Sequence, residues 1–189
     1  RFFWKTSEDE KAIVFYAEHE GYYLNFEGLI EELIDEHKQK LCYVTSDPQD
    51  PIFNTSQPFI KTFYINKLLA FFMPLVNCRV FVMTLTDLNQ YHLKRSANPV
   101  HYVYVFHSMI STHLKYLAGA FDYYDSIFCV GPHHIKEILK REKLNELHQK
   151  NLVEAGYYPL ERICSEYQKY LAEKPTIDDK TTVLIAPSW

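Results

Sequence analysis

Two histidines and three hydroxyl residues lie close together, directly after a run of β-branched and aromatic residues. They are His107, Ser108, Ser111, Thr112 and His113, and the apolar run before them spans 100–106. A histidine whose pKa lies near neutrality can remove the proton from a nucleophilic hydroxyl group. The hydroxyl side chains can donate hydrogen bonds to a ligand or begin the next helix. His107 and its rival His113 are therefore the residues to consider for such chemistry, and the alternative for His107 is a histidine satisfied by hydrogen bonds at the end of a strand.

A second polar group follows another apolar run near the beginning of the chain. Glu18 and His19 come directly after the run 12–17, and Tyr22 and Tyr23 follow shortly afterwards. If both runs are parallel strands, their carboxyl ends meet at one edge of the sheet, where open α/β sheets bind ligands. These four residues are therefore predicted to line the site of His107. The alternative is a solvated loop with tyrosines that belong to the core.

A third group stands at the predicted beginning of a helix. Gly131 and Pro132 precede His133 and His134, and free backbone N–H groups at a helix N-terminus can hold an anion. Gly131, His133 and His134 are thus candidate anion-binding residues, with a purely structural helix start as the alternative. Adjacent residues diverge on a helix, so we predict no metal site here.

Strand and helix patterns alternate along the chain, which predicts an α/β fold with a Rossmann-like, mostly parallel sheet flanked by helices. The predicted strands are 12–17, 41–45, 59–65, 79–85, 100–106, 126–130 and 151–155. The predicted helices are 26–34 with Asn25 as its cap, 67–73, 114–120, one beginning at Pro132, and 160–171.

Composition narrows the classes of function. The 189 residues are 47% hydrophobic with a net charge of −4, which indicates a globular domain with a sizeable core and no nucleic-acid partner. Four widely separated cysteines, three of them in or beside apolar runs, are typical of reduced thiols in the cytoplasm. No apolar run approaches the roughly 20 residues that span a bilayer, and no signal peptide is visible.

The C-terminal part of the sequence predicts a domain boundary. Residues 173–180 are charged and contain Pro175, as a linker would, and 181–189 has the pattern of a new strand. We therefore predict an N-terminal domain over 1–172, a linker over 173–180, and the first strand of a truncated second domain over 181–189.

Several segments, taken in order, resemble the CDP-glycerol:poly(glycerophosphate) glycerophosphotransferases, which build teichoic acids and other cell-surface polysaccharides. The segments are 106–113, 119–138, 156–162 and 186–189, and the resemblance covers mainly the second half of the chain. Phe106 and Ser108 stand where the family has Trp and Gly beside its histidine.

The resemblance implies the N-terminal, acceptor-side half of a GT-B transferase, with His107 as the general base. Glu18, His19, Tyr22, Tyr23, Ser108, Ser111 and Thr112 would bind a polymer or lipid-linked acceptor. CDP-glycerol or another nucleotide-linked donor would bind the C-terminal domain that is mostly absent here, so this domain is expected to hold no cofactor and to be inactive alone. The implied location is the cytoplasm, including a peripheral position on the inner face of the plasma membrane.

Two other interpretations remain open at this point. One is a GT-B glycosyltransferase that uses a nucleotide sugar, or an epimerase-like protein of capsule biosynthesis. The other is a non-catalytic module that binds a glycan or a nucleotide, because one fold serves many functions.

Overall fold

The computed structural model describes residues 3–173 together with residues 183 and 185. Contacts divide the chain into two units, Arg1–Tyr158 and Pro159–Trp189. Within the described part of the first unit, seven strands form one parallel sheet in the order β3-β2-β1-β4-β5-β6-β7. The strands are β1 Ile13–Ala17, β2 Leu41–Thr45, β3 Ile60–Tyr64, β4 Val80–Met83, β5 His101–Val105, β6 Ser126–Cys129 and β7 Asn151–Glu154. The predicted α/β, Rossmann-like class and all seven predicted strands are confirmed.

Helices and short 3₁₀ segments connect the strands. The helices are α1 Tyr23–Asp35, α2 Leu69–Phe72, α3 Thr112–Lys115, α4 Pro132–Leu144 and α5 Tyr158–Glu173. The 3₁₀ segments are Phe3–Lys5, Glu20–Tyr22, Pro51–Asn54 and Met73–Leu75. None of the helices in the described residues is both long enough and apolar enough to cross a membrane.

Both faces of the sheet are buried along β1, β2, β4 and β5, which explains why these strands are continuous apolar runs rather than alternating ones. Along β1, Val14 and Tyr16 belong to one core cluster, whereas Phe15 and Ala17 belong to the other. This alternation arises because successive side chains of a strand point to opposite faces of the sheet. The sheet is therefore held between two apolar layers, and polar groups collect where the strands end.

The thiols that the sequence places in apolar runs are buried and free. Cys42, Cys78 and Cys129 are buried, and burial raises the pKa of each thiol to about 12. Cys164 on α5 is exposed. The three buried cysteines are thus protonated core residues at neutral pH.

Two predicted helix boundaries are wrong. Asn25 does not cap α1, because the helix begins at Tyr23 and the Asn25 side chain donates to the Tyr22 carbonyl at 3.3 Å. The chain turns earlier, where the His19 ring accepts the Gly21 N–H at 3.1 Å and begins the 3₁₀ segment Glu20–Tyr22.

The helix predicted over 114–120 is instead the single turn α3. Tyr116 has an extended backbone and packs its ring against Phe106 and Phe121, with centroids 6.1 Å and 5.0 Å away. Burial of this aromatic ring therefore ends the helix before its apolar pattern does.

The predicted C-terminal boundary lies mostly outside the described residues. α5 continues to Glu173, the first residue of the predicted linker. Residues 174–180 and most of the strand predicted over 181–189 lie outside the part of the chain that the structure describes. The two described residues there, Val183 and Ile185, are exposed and belong to neither a helix nor a strand.

Candidate functional site

The strand order creates a crevice at the carboxyl edge of the sheet. The chain continues from β1 to β2 on one side, while β4 pairs with β1 on the other. Such a reversal opens a space outside the carboxyl ends of the two strands, where ligands bind in open α/β sheets. β5 pairs with β4, so the loops after β1 and β5 stand on either side of the end of β4.

Three residues predicted from the sequence meet across this crevice. The rings of Tyr22 and His107 are in edge contact, with centroids 5.4 Å apart, and His19 packs on Tyr22 at 4.3 Å. Glu18 directly follows β1, and partial desolvation raises the pKa of its carboxyl group. The pKa of Tyr22 is also raised, first by burial and then by the charge of Glu18. His107, His19 and Tyr22, with Glu18 beside them, form what we call the histidine cluster.

His107 has the state required of a proton acceptor. Its pKa is lowered from 6.5, first by burial and then by the positive charge of Lys115, so the imidazole is neutral at physiological pH. Its Nδ1 is buried and has no hydrogen-bond partner among the described residues. The backbone of the same residue is fixed, because the Tyr157 hydroxyl donates to the His107 carbonyl at 3.1 Å. The protein thus holds a neutral, half-buried imidazole ring beside Tyr22 at the crevice, and its Nδ1 faces the interior.

Side chains of α4 hold the loop that follows His107. The Thr112 N–H and hydroxyl both donate to Glu137 Oε2 at 2.6 Å, and the Ser111 hydroxyl donates to Glu137 Oε1. Ser108 accepts the Ile110 N–H at 3.2 Å within the loop. The cap of α3 is therefore the carboxylate of Glu137, whereas the side chain of Ser111 at the N-cap position makes no capping bond.

The two predicted anion-binding histidines also hold this loop. His133 donates to the Met109 carbonyl at 3.2 Å, and His134 donates to the Ile110 carbonyl at 3.0 Å, as Nε2–H tautomers. His134 is fully buried against Phe106, and its Nδ1 accepts the Val130 N–H at 3.4 Å. Both nitrogens of His134 are engaged, so its role here is structural and no nitrogen is left for an anion. Gly131 is the N-cap of α4 in an extended conformation, and its carbonyl accepts the His134 N–H.

Two other predicted residues lie apart from the histidine cluster. The side chain of His113 is 69% exposed, and its Nδ1 lies 2.8 Å from the Ser111 hydroxyl and 3.3 Å from Glu137. Tyr23 packs on Tyr43, with ring centroids 5.8 Å apart, and lines a separate cavity with Glu20 and Asp50. The contacts of the described residues thus place His107, and not His113, beside the residues that follow β1.

Glu137 was not among the residues predicted from the sequence, although a signal exists. His133, His134 and Glu137 are spaced i, i+1 and i+4 on α4, which places the first and last on one face of the helix. All three bind the same loop, 109–112.

We expect Glu137→Gln to destabilise the domain by about 1–3 kcal/mol at pH 7, because hydrogen bonds to a charged acceptor are lost. Burial opposes ionisation of Glu137, but the bonds from Ser111 and Thr112 outweigh it and lower its pKa from 4.5 to about 2. A lowered native pKa contributes stability that is complete above pH 4.5 and is lost as the pH falls towards 2. Urea unfolding at pH 7 and in this acid range measures both effects.

The matched control for this prediction is Glu146→Gln, which removes an exposed carboxylate near the end of α4. Glu146→Gln should have the same free energy of unfolding as the wild type, both at pH 7 and in the acid range. Equal stability of Glu137→Gln and the wild type at pH 7 would show that Glu137 does not hold the loop.

Across residues 3–173, 183 and 185, no three His, Cys, Asp or Glu side chains are grouped so as to hold a metal ion. Comparison of the chain with models of protein families, with curated proteins and with solved structures finds no match. The function is therefore inferred from the fold, the histidine cluster and the sequence segments described above.

Proposed function

We propose that this chain is the acceptor-side domain of a transferase that uses a nucleotide-activated donor, with CDP-glycerol as the specific donor. The observation that carries the proposal is the neutral, half-buried imidazole of His107 at the crevice, in contact with Tyr22 from the other side of β4. A general base of this kind has to be unprotonated at working pH and within reach of the substrate. The ordered segments that resemble the glycerophosphotransferases supply the reaction class.

The proposed reaction transfers glycerophosphate to an acceptor hydroxyl group. The hydroxyl oxygen forms a bond to the phosphorus that carries glycerol, its proton passes to the His107 imidazole, and the bond from that phosphorus to CMP breaks. CMP leaves with the electron pair of the broken bond. Tyr22 offers an aromatic surface for the carbon atoms of the acceptor, and Glu18 offers a carboxyl group for its other hydroxyls.

Charge on the transferred phosphoryl group needs donors or cations around it. The four residues of the histidine cluster carry no fixed positive charge, although the charge of Lys115 reaches His107, so we assign most of the phosphate binding to the proposed donor domain. The acceptor is a cell-surface polymer or its lipid-linked precursor, which places the reaction in the cytoplasm at the inner face of the membrane.

The test uses a protein in which this chain is joined to the proposed donor domain. CMP release from CDP-glycerol is measured with and without a glycerophosphate polymer as acceptor, and UDP-glucose serves as the comparison donor. We expect CMP release that depends on the polymer and on CDP-glycerol.

Other results would overturn the proposal in different ways. Turnover of UDP-glucose alone would assign the chain to a nucleotide-sugar glycosyltransferase. Absence of turnover with both donors, together with equal heats of nucleotide binding to this chain and to the joined protein, would identify a non-catalytic binding module.

A further inference from the structure

The helical stretch that joins β3 to β4 is apolar on both of its sides. It consists of α2 and the 3₁₀ segment Met73–Leu75, and residues 68–78 include no charged residue. One side of the stretch packs into the core through Phe72 and Met73, which are buried. The other side is exposed to solvent. Because a helix that is apolar all round is normally buried, we expect a partner to cover this exposed side.

The exposed side carries large apolar side chains that lie next to one another. Leu68, Phe71 and Leu75 form one ridge, because they are spaced by three and four residues along the helical stretch. Trp4 is joined to this ridge. Its Nε1–H donates to the Leu75 carbonyl at 3.1 Å, and its ring packs on Phe72 with centroids 5.7 Å apart. We call Trp4, Leu68, Phe71 and Leu75 the apolar face.

The apolar face is large for a surface in contact with water. Its four side chains are 43%, 57%, 73% and 61% exposed, in chain order. Side chains of this size offer about 150–250 Å² each, so the apolar face exposes roughly 450 Å² of apolar surface. Contiguous apolar patches larger than a few hundred Å² are typical of interaction sites.

We propose that the apolar face binds the same face of a second copy of this chain, across a two-fold axis beside Phe71. When two such ridges lie antiparallel, Leu68 of one copy meets Leu75 of the other, and the two Phe71 rings meet at the axis. Trp4 lies beside Leu75 and therefore covers Leu68 of the second copy. The near-equal spacing of Leu68 and Leu75 on either side of Phe71 makes the ridge self-complementary.

The area of the apolar face agrees with that of a stable dimer. Two copies would together bury roughly 900 Å² of apolar surface. Because homodimer interfaces are about 65% apolar, the whole interface would bury roughly 1,400 Å². Specific protein interfaces bury about 1,200–2,000 Å² in total, so the apolar face is large enough for one.

The charge pattern also favours a protein partner. Charged residues are depleted at the cores of protein interfaces, and residues 68–78 contain none. A helix that lies on an anionic membrane is usually rich in lysine and arginine, which this segment lacks. The apolar face therefore fits another apolar protein surface better than a lipid surface.

This inference is independent of the proposed transfer reaction. The apolar face shares no residue with the histidine cluster or with the loop after β5. The dimer would form whether or not His107 is catalytic, so the failure of one proposal leaves the other standing.

The test is sedimentation equilibrium of this chain over a series of protein concentrations. The mass of one copy is 22.5 kDa, and we expect the measured mass to rise towards twice that value as the concentration increases. A mass that stays at 22.5 kDa up to the solubility limit would overturn the proposal.

Charged substitutions locate the interface. Phe71→Glu should raise the dissociation constant of the dimer by about 100-fold or more, because it brings two carboxylates together in a desolvated contact. Leu75→Glu should act in the same direction, which keeps the test valid if circular dichroism shows that Phe71→Glu does not fold. The control is Leu144→Glu, because Leu144 on α4 is 71% exposed and lies outside the apolar face. A dimer that persists unchanged in both variants, or that Leu144→Glu weakens equally, would refute the interface.

Flotation with vesicles of phosphatidylcholine and phosphatidylglycerol tests the other occupant. We expect the wild type and Phe71→Glu to behave alike in this assay. Vesicle binding by a monomeric wild type that Phe71→Glu abolishes would assign the apolar face to a lipid surface and overturn the proposed dimer.

Discussion

His107→Ala is expected to lower the proposed transfer rate by about 10²–10⁴-fold, the usual contribution of a general base. The protein should remain folded, because the ring contributes edge contacts to Tyr22 and Tyr116 and its Nδ1 makes no hydrogen bond. The measurement pairs kcat/KM for the proposed transfer with thermal unfolding of the same protein. A loss of activity without a comparable loss of stability would identify a chemical role.

The control for His107→Ala is His113→Ala, the same change six positions later on an exposed residue. We expect that variant to retain most of the activity. Full activity of His107→Ala, or a larger loss in His113→Ala, would exclude His107 as the base.

The pH dependence gives a second readout for the same residue. Because burial and Lys115 lower the pKa of His107, the base form persists below pH 6.5. The acid limb of the kcat/KM profile should therefore fall below pH 6.5 in the wild type and disappear in the residual activity of His107→Ala.

Glu142→Leu is expected to destabilise the domain by about 3–5 kcal/mol, because the buried Lys150 ammonium loses its counter-charge and keeps only the His148 carbonyl as an acceptor. The side chains of Lys150 and Glu142 are only 2% and 4% exposed, and Lys150 Nζ lies 3.3 Å from Glu142 Oε1. The Lys150 N–H also donates to that oxygen at 3.0 Å, just before β7 begins. Urea unfolding of the wild type and the variant measures the loss.

The matched control for the ion pair is the double variant Glu142→Leu with Lys150→Met. Replacing both partners by apolar side chains removes the unpaired charge and should restore much of the lost stability. A double variant as unstable as Glu142→Leu would show that the cost comes from packing or from the lost backbone bond rather than from the buried charge.

The central strands were predictable because each is a short apolar run, and a parallel sheet buries both faces of such a run. The beginning of α1 was not, because it depends on the His19 ring accepting the Gly21 N–H rather than on a standard cap such as Asn25. The end of α3 was missed for a related reason. Burial of Tyr116 is a tertiary effect that local periodicity does not contain.

The histidine cluster was partly predictable from the rule that parallel strands end at one edge. That rule places His107 near Glu18, His19 and Tyr22, and the structure brings three of these rings into sequential contact. The role of Glu137 was not foreseen, because its hydrogen bonds join residues 25 positions apart. Asp50 has the sequence context of a turn residue before proline, and nothing local indicates that its carboxylate is buried.

The ties between α4 and the loop after β5 have a consequence for the entropy of ligand binding. Fixing the backbone of one residue costs about 1–2 kcal/mol, and a mobile loop would incur this cost when its ligand binds. Here His133, His134 and Glu137 hold residues 109–112 in place without a ligand. The affinity of the crevice for a ligand can therefore reflect the fit of that ligand, and molecules that require a different loop shape are disfavoured.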